Sequence, residues 1–203
     1  MKRTKEEAAL TRQAVLEAAL KVFARKGFAQ TGLEEVAKEA GFTRGAVYWH
    51  FGNKFEMFQA VLQECYERAG VRINRVLDSD QRPFEKIRQL MREIFLIISN
   101  EEEFSVIEEL QKFKFEKRKE LKDLYNRHLE NVKTMRGMIK GLIEEGIAVG
   151  DFDSTLDPDI TTLAVISYIA GMKSAWLSGI RDISIAENAG KLADIFINGI
   201  DKD

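Results

Sequence analysis

At 203 residues with 45% apolar composition, the chain can bury a core, as one domain or as a small domain joined to a larger one. Its net charge of −2 excludes no partner until it is divided along the chain. Residues 1–60 carry ten Lys/Arg against seven Asp/Glu, a net of +3, while the remainder carries −5; this suits a DNA-reading head on a body that should not bind DNA. Period-two alternation is absent, Pro83 and Pro158 are the only prolines, and the fourteen glycines are mostly single and spaced like helix ends, so an all-α fold is expected. The single Cys65 excludes an intrachain disulfide, and without a signal-peptide pattern the cytoplasm is the expected compartment. The longest apolar stretches, 94–98 and 163–172, fall short of the roughly 20 residues that span a bilayer, so no membrane association is expected.

The first predicted helix covers residues 6–26, with Leu10, Ala14, Val15, Ala18, Ala19, Val22 and Phe23 as its buried stripe and Lys26-Gly27 as its end. The basic leader 1–5 reads as a solvated terminus, or as a loose arm near phosphates. A second helix follows at 33–40, with Leu33, Val36, Ala37 and Ala40 on one face and Thr31 and Glu34 spaced as a capping box. Gly41 closes it. Thr43 is placed to N-cap a third, short helix, and Gly52-Asn53 to stop it. Within that helix Val47 and Phe51 share a buried face, which leaves Arg44, Gly45, Ala46, Tyr48, Trp49 and His50 pointing outward. Helix, glycine turn and short polar-aromatic helix is the helix-turn-helix plan, although an ordinary helical hairpin satisfies the same spacing.

The wording of the stretch is more specific than its spacing. Phe28-Ala-Gln-Thr31, Val36-Ala37, Gly41-Phe-Thr-Arg-Gly-Ala-Val-Tyr48-Trp-His-Phe51 and Asn53-Lys54 resemble the DNA-binding domain of the TetR family of bacterial repressors. The likeness runs from about Ala8 to Phe58, weakens beyond, and is strongest to the branch that represses multidrug-efflux pumps. It implies a helix-turn-helix domain at 1–53 and a helical ligand-binding and dimerisation domain at 54–203, about nine helices in all. It also implies a near-palindromic double-stranded operator, a small-molecule inducer and a homodimer. Regulators of lipid or other metabolism share the same plan. On this resemblance Thr31, Thr43, Tyr48, Trp49, His50 and Lys54 would clamp phosphates. Arg44 has the reach and donors for a guanine edge or a phosphate, while Gly45 and Ala46 permit close approach.

A long helix is expected from Lys54 to about Leu77, and residues 78–83 form the boundary loop. The body continues with an apolar-faced helix at 83–99 and three acids, Glu101, Glu102 and Glu103, at the start of the next. The basic run 112–119 reads as a solvated face, and residues 121–147 form another long helix. The aspartates in 150–159 lack the glycine and glutamate of a calcium loop and read as helix caps. The helices at 159–179 and 183–200 are apolar over more of their circumference than one core uses. Ile166, Ala170, Trp176, Ile195 and Phe196 are therefore candidate dimer-interface residues, with burial inside one subunit as the other possibility.

Large adaptable side chains are candidate pocket lining, or core: Leu62, Tyr66, Met91, Phe95, Phe104, Ile107, Phe113, Met135, Met138 and Met172. Glu108 falls among them, where a lone carboxylate would be costly, and the resemblance places a drug-facing glutamate in the segment matching Ile107-Glu-Glu-Leu-Gln. No enzyme is expected, and no cofactor. His50 and His128 lack metal-ligand spacing, and neither a Gly-rich phosphate loop nor a nucleophile elbow occurs.

Overall fold

The computed structural model describes residues 5–180 and 182–200. Among them every regular element is helical: α1 Lys5–Gln30, α2 Leu33–Ala40, α3 Arg44–Phe51, α4 Lys54–Leu77, α5 Pro83–Ile98, α6 Glu101–Glu108, a 3-10 helix Glu109–Phe115, α7 Lys119–Val149, α8 Pro158–Leu177 and α9 Ile185–Ile197. The expected all-α fold is what forms. Of the basic leader, residues 1–4 lie outside the described residues.

Packing divides the chain into two compact units, and it does so differently from the sequence boundary at 53. The first contains residues up to Arg68 together with Glu101–Tyr125; the second contains Ala69–Asn100 and the residues from Asn126 on. The three N-terminal helices thus share a core with the start of α4, with α6 and with the 3-10 helix.

In the first unit Val15, Ala18, Ala19, Val22 and Phe23 of α1 are buried as their spacing requires, and Leu16 and Leu20 join them. Leu10, expected in this stripe, is instead 68% exposed, because the buried stripe begins one residue later, at Thr11. Phe23, Phe28, Phe58 and Phe113 form an aromatic cluster with paired centroids 4.9–6.3 Å apart, edge-to-face except for the stacked Phe23–Phe28 pair. The predicted end of the first helix at Gly27 is a kink rather than a stop. Gly27 has φ 73 and ψ 171, a region essentially closed to residues with a Cβ, and the helix resumes through Phe28 to Gln30.

In the second unit α5 packs along α9, and Arg88 of α5 pairs with Asp194 of α9. Tyr168 of α8 donates its hydroxyl to the Leu192 carbonyl at 2.9 Å and its ring faces Phe95 and Phe196. The aspartates near 150–159 have separate structural duties. Asp157 caps α8 by accepting the Ile160 amide at 2.9 Å, and buried Asp151 accepts the Phe84 amide and pairs with Arg82. The uninterrupted apolar run 163–172 is short, as expected, but α8 around it has the length and average composition of a span. Counted as a whole helix it is long and apolar enough, since its few polar residues interrupt the runs without lowering the average much.

Candidate nucleic-acid interface

α2 and α3 meet at Gly41, whose left-handed conformation (φ 72, ψ 23) lets the Phe42 amide donate to the Ala37 carbonyl at 2.9 Å and turns the chain sharply. α3 starts at Thr43, whose hydroxyl accepts the Ala46 amide at 3.3 Å, and it ends at Gly52. Val47 and Phe51 are buried against the unit's core, and this pair fixes which face turns outward. On that outward face Trp49 is 74% and Tyr48 40% exposed. Arg44 and Gly45 are exposed, and Ala46 and His50 half-buried. The Trp49 ring meets the His50 ring edge-on at 4.6 Å. A Cβ added at Gly45 would meet only the Thr43 hydroxyl, at 4.0 Å, so no internal contact demands a glycine there.

The Arg44 guanidinium donates to Tyr48 Oη at 3.4 Å, lies over the Tyr48 ring and pairs with Glu34 of α2. The bond to Tyr48, and then the charge of Glu34, raise its pKa above the ordinary arginine value, so it stays cationic. Exposed ion pairs contribute little, and the Glu34 contact is therefore cheaply exchanged for an external anion.

After α3 the chain restarts at once. Asn53 and Glu56 cap α4 reciprocally: Asn53 Oδ1 accepts the Glu56 amide at 3.0 Å and Asn53 Nδ2 donates to the Glu56 carboxylate at 2.7 Å. Lys54 reaches back to donate to the Ala29 carbonyl at 3.0 Å, with its ammonium 4.8 Å from the centroid of the Phe28 ring. Burial first, and the nearby Arg118 charge second, lower its pKa below the usual lysine value. An ammonium has three donors, so this bond leaves capacity for a phosphate.

Thr31 is placed differently from its expected role at a phosphate. It is buried and its hydroxyl donates to the Gly27 carbonyl at 2.8 Å; α2 is capped instead by Gly32, without a side-chain bond, so the Thr31–Glu34 capping box does not form. Thr31 fixes the turn on which α2 and α3 stand.

The expected pocket residues fall in both units. In the first, Leu62, Phe104 and Phe113 are buried core, with Phe113 against Phe28 and Phe58, while Tyr66, Ile107 and Glu108 are half-buried. In the second, Met91 and Phe95 are fully buried and Met135, Met138 and Met172 half-buried. The buried acid of the adjacent pair is Glu109, which sequence reasoning passed over. Its carboxylate accepts the Phe28 amide at 3.0 Å, stands against Gly27 and pairs with Lys112 at 2.6 Å. The bond ties the 3-10 helix to the kink that precedes the helix-turn-helix. Of the candidate interface residues, Ala170 and Ile195 are exposed on the described protomer, while Ile166, Trp176 and Phe196 are half-buried. No cluster of metal-ligating side chains occurs among the described residues, and burial pushes the Cys65 thiol up to about 12, so it is unreactive.

A helical chain that presents arginine, tyrosine and tryptophan on a short helix behind a glycine turn is a helix-turn-helix regulator in construction. Residues 15–61 match the model of bacterial regulatory proteins of the tetR family, and residues 80–200 match that of the tetracyclin repressor-like C-terminal domain. The chain is 30% identical over 179 residues to the HTH-type transcriptional regulator TtgR of Pseudomonas putida, spanning 87% of this chain and 85% of TtgR. It belongs to the TetR family of bacterial transcriptional regulators. Among solved structures it resembles NalD of Pseudomonas aeruginosa, described as the secondary repressor of the MexAB-OprM multidrug efflux pump, at 27% identity and TM-score 0.70 over 98% of this chain and 100% of NalD. The ketosteroid transcriptional regulator KstR2 of Mycobacterium tuberculosis shares the fold, with TM-score 0.75 at 23% identity over 95% of each chain. Members of the family are transcriptional regulators rather than enzymes; they bind operator DNA and small molecules and act as dimers.

Proposed function

We propose that this chain is a homodimeric repressor of a transporter or multidrug-efflux operon. It acts in the bacterial cytoplasm by binding alone and leaves a near-palindromic operator when a small apolar or cationic inducer binds. The observation that carries the DNA-reading part is α3, which buries Val47 and Phe51 and turns Arg44, Tyr48 and Trp49 to solvent. Arg44 would read a guanine edge or a phosphate, and Gly45 and Ala46 let the backbone approach a base. Glycine within a helix costs roughly 0.5–1 kcal/mol relative to alanine, and no internal contact at Gly45 accounts for it. Thr43, Tyr48, Trp49, His50 and Lys54 would hold the flanking phosphates. The likeness to NalD along the whole chain favours an efflux operon as the target.

For the dimer, the apolar side chains that α8 and α9 leave exposed, among them Ile160, Leu163 and Ile195, would pack against their copies, with Ala170 allowing close approach. For the inducer, Glu108 would supply the anionic partner of a cationic aromatic ligand. The experiment is fluorescence anisotropy on the DNA upstream of the chain's own gene, with rhodamine 6G as cationic probe and naphthol as neutral one. Rhodamine 6G should release the DNA, and Glu108→Gln should weaken the rhodamine effect about tenfold while leaving naphthol and DNA binding unchanged. Equal rhodamine affinities for wild type and Glu108→Gln would remove Glu108 from the site.

A further inference from the structure

The basic run 112–119 covers the end of the 3-10 helix, the link 116–118 and the first residue of α7, and the structure brings its Arg118 beside the end of α3. Arg118 and Glu120 line an open cleft of about 380 Å³ together with Phe28, Asn53, Lys54 and Phe55. Asn53 and Lys54 are the residues that follow the Gly52 cap of α3. Arg118 lies near enough to Lys54 for its charge to lower the lysine pKa, so two cations face a common space.

The neighbouring charges leave that space positive. Lys112 is paired with Glu109. Glu116 turns its carboxylate back to accept the amides of Lys117 at 2.8 Å and Arg118 at 3.3 Å. Lys117, Arg118 and Lys119 are exposed and form no ion pair among the described residues, and Lys114, also exposed, lies over the Phe115 ring. Glu120 is the one carboxylate lining the cleft among the described residues. An open cleft faced by Lys54 and Arg118, with exposed Lys117 and Lys119 flanking Arg118 in the chain, fits a linear polyanion better than an enclosed small molecule.

We propose that Lys117, Arg118 and Lys119 form a second, sequence-independent contact with DNA, gripping the phosphate backbone that flanks the half-site occupied by α3. The proposal rests on α3 docking in the major groove with Lys54 at a phosphate. It predicts that this segment adds affinity and salt dependence without adding discrimination, since phosphates carry no direct sequence information.

The test uses the full chain, a duplex extending ten or so base pairs beyond the operator on each side, and anisotropy titrations between about 50 and 200 mM salt. Every phosphate no longer neutralised should make the salt slope shallower by about 0.9, hence by about 1.8 for one residue counted over a symmetric dimer. Lys117→Gln/Arg118→Gln/Lys119→Gln should weaken binding to operator and scrambled duplex by the same factor, and Arg118→Gln alone should give part of the effect. The charge-conserving Lys117→Arg/Arg118→Lys/Lys119→Arg should restore both affinity and slope. Wild-type slope and affinity retained by the glutamine variants overturn the proposal, and so does failure of the charge-conserving variant to restore them. A wild-type chain that shows no preference for the operator would instead overturn the underlying reading of α3, a separate outcome.

Discussion

Replacing Glu109 with alanine removes the acceptor of the Phe28 amide and leaves that N–H buried beside the Gly27 kink. Glu109 is 8% exposed, and its oxygen lies 3.0 Å from the amide nitrogen. Hydrogen bonds to charged groups contribute about 1.5–3 kcal/mol, and an orphaned buried donor costs a similar amount, so a loss of about 2–3 kcal/mol is expected. The pair with Lys112 adds little to this, because the lysine is largely exposed. Glu109→Gln keeps an oxygen acceptor and loses only the charge, so about 1 kcal/mol is expected. Urea unfolding followed by circular dichroism, at a fixed protomer concentration because dimerisation shifts apparent stability, reads both values. Operator affinity should fall with Glu109→Ala as well, since the same bond holds the turn leading to α2 and α3. Wild-type stability for Glu109→Ala, or equal losses for alanine and glutamine, would show that Glu109 does not hold the Phe28 amide.

A second core substitution should be as damaging for a different reason. A Cβ at Gly146 of α7 would collide with the fully buried Phe152 ring, so Gly146→Ala should destabilise by about 1–3 kcal/mol despite alanine's better helix propensity, as denaturant midpoints will show. The bond from Arg88 lowers the pKa of Asp194, so its contribution is complete above the unfolded aspartate pKa, near 3.9, and is lost as pH falls through the lower folded value. Asp194→Asn should therefore flatten the stability loss below about pH 4, by at most about 1 kcal/mol for so exposed a pair, in acid titrations of unfolding. On the proposed packing of α8 and α9 against their copies, Ala170→Asp should dissociate the dimer at micromolar concentration with helicity retained, because an unpaired charge in a desolvated interface costs several kcal/mol. Sedimentation velocity distinguishes that outcome from an unchanged dimer.

The local parts of this molecule were legible and the long-range parts were not. Thr43, Gly41 and the Val47–Phe51 pair act within one turn of their own position, so spacing alone shows the cap, the sharp turn and the outward face of α3. The bond from Phe28 to Glu109 spans 81 residues, and the sequence hint was limited to a glycine at the kink. Adjacent glutamates look alike in a sequence; burial of Glu109 rather than Glu108 depends on where the 3-10 helix begins. Thr31 illustrates competition between two local bonds. A capping hydroxyl and a hydroxyl bonded to a carbonyl four residues back use the same side chain, and the kink at Gly27 presents that carbonyl. Leu62, Phe104 and Phe113 carry the composition of a pocket lining and are core, a distinction that apolar identity alone does not make.

On the proposed function, Arg44 on α3 reads an operator. The direct measurement compares wild type and Arg44→Ala on the DNA upstream of the chain's own gene and on a scrambled duplex of equal length and salt. Wild type should prefer the operator at least about 10³-fold. Arg44→Ala should lose about 1–3 kcal/mol on the operator and much less on the scrambled duplex, with its fold intact by circular dichroism. Equal wild-type affinity for both duplexes, or an Arg44→Ala protein that discriminates as well as wild type, would show that Arg44 does not read this DNA.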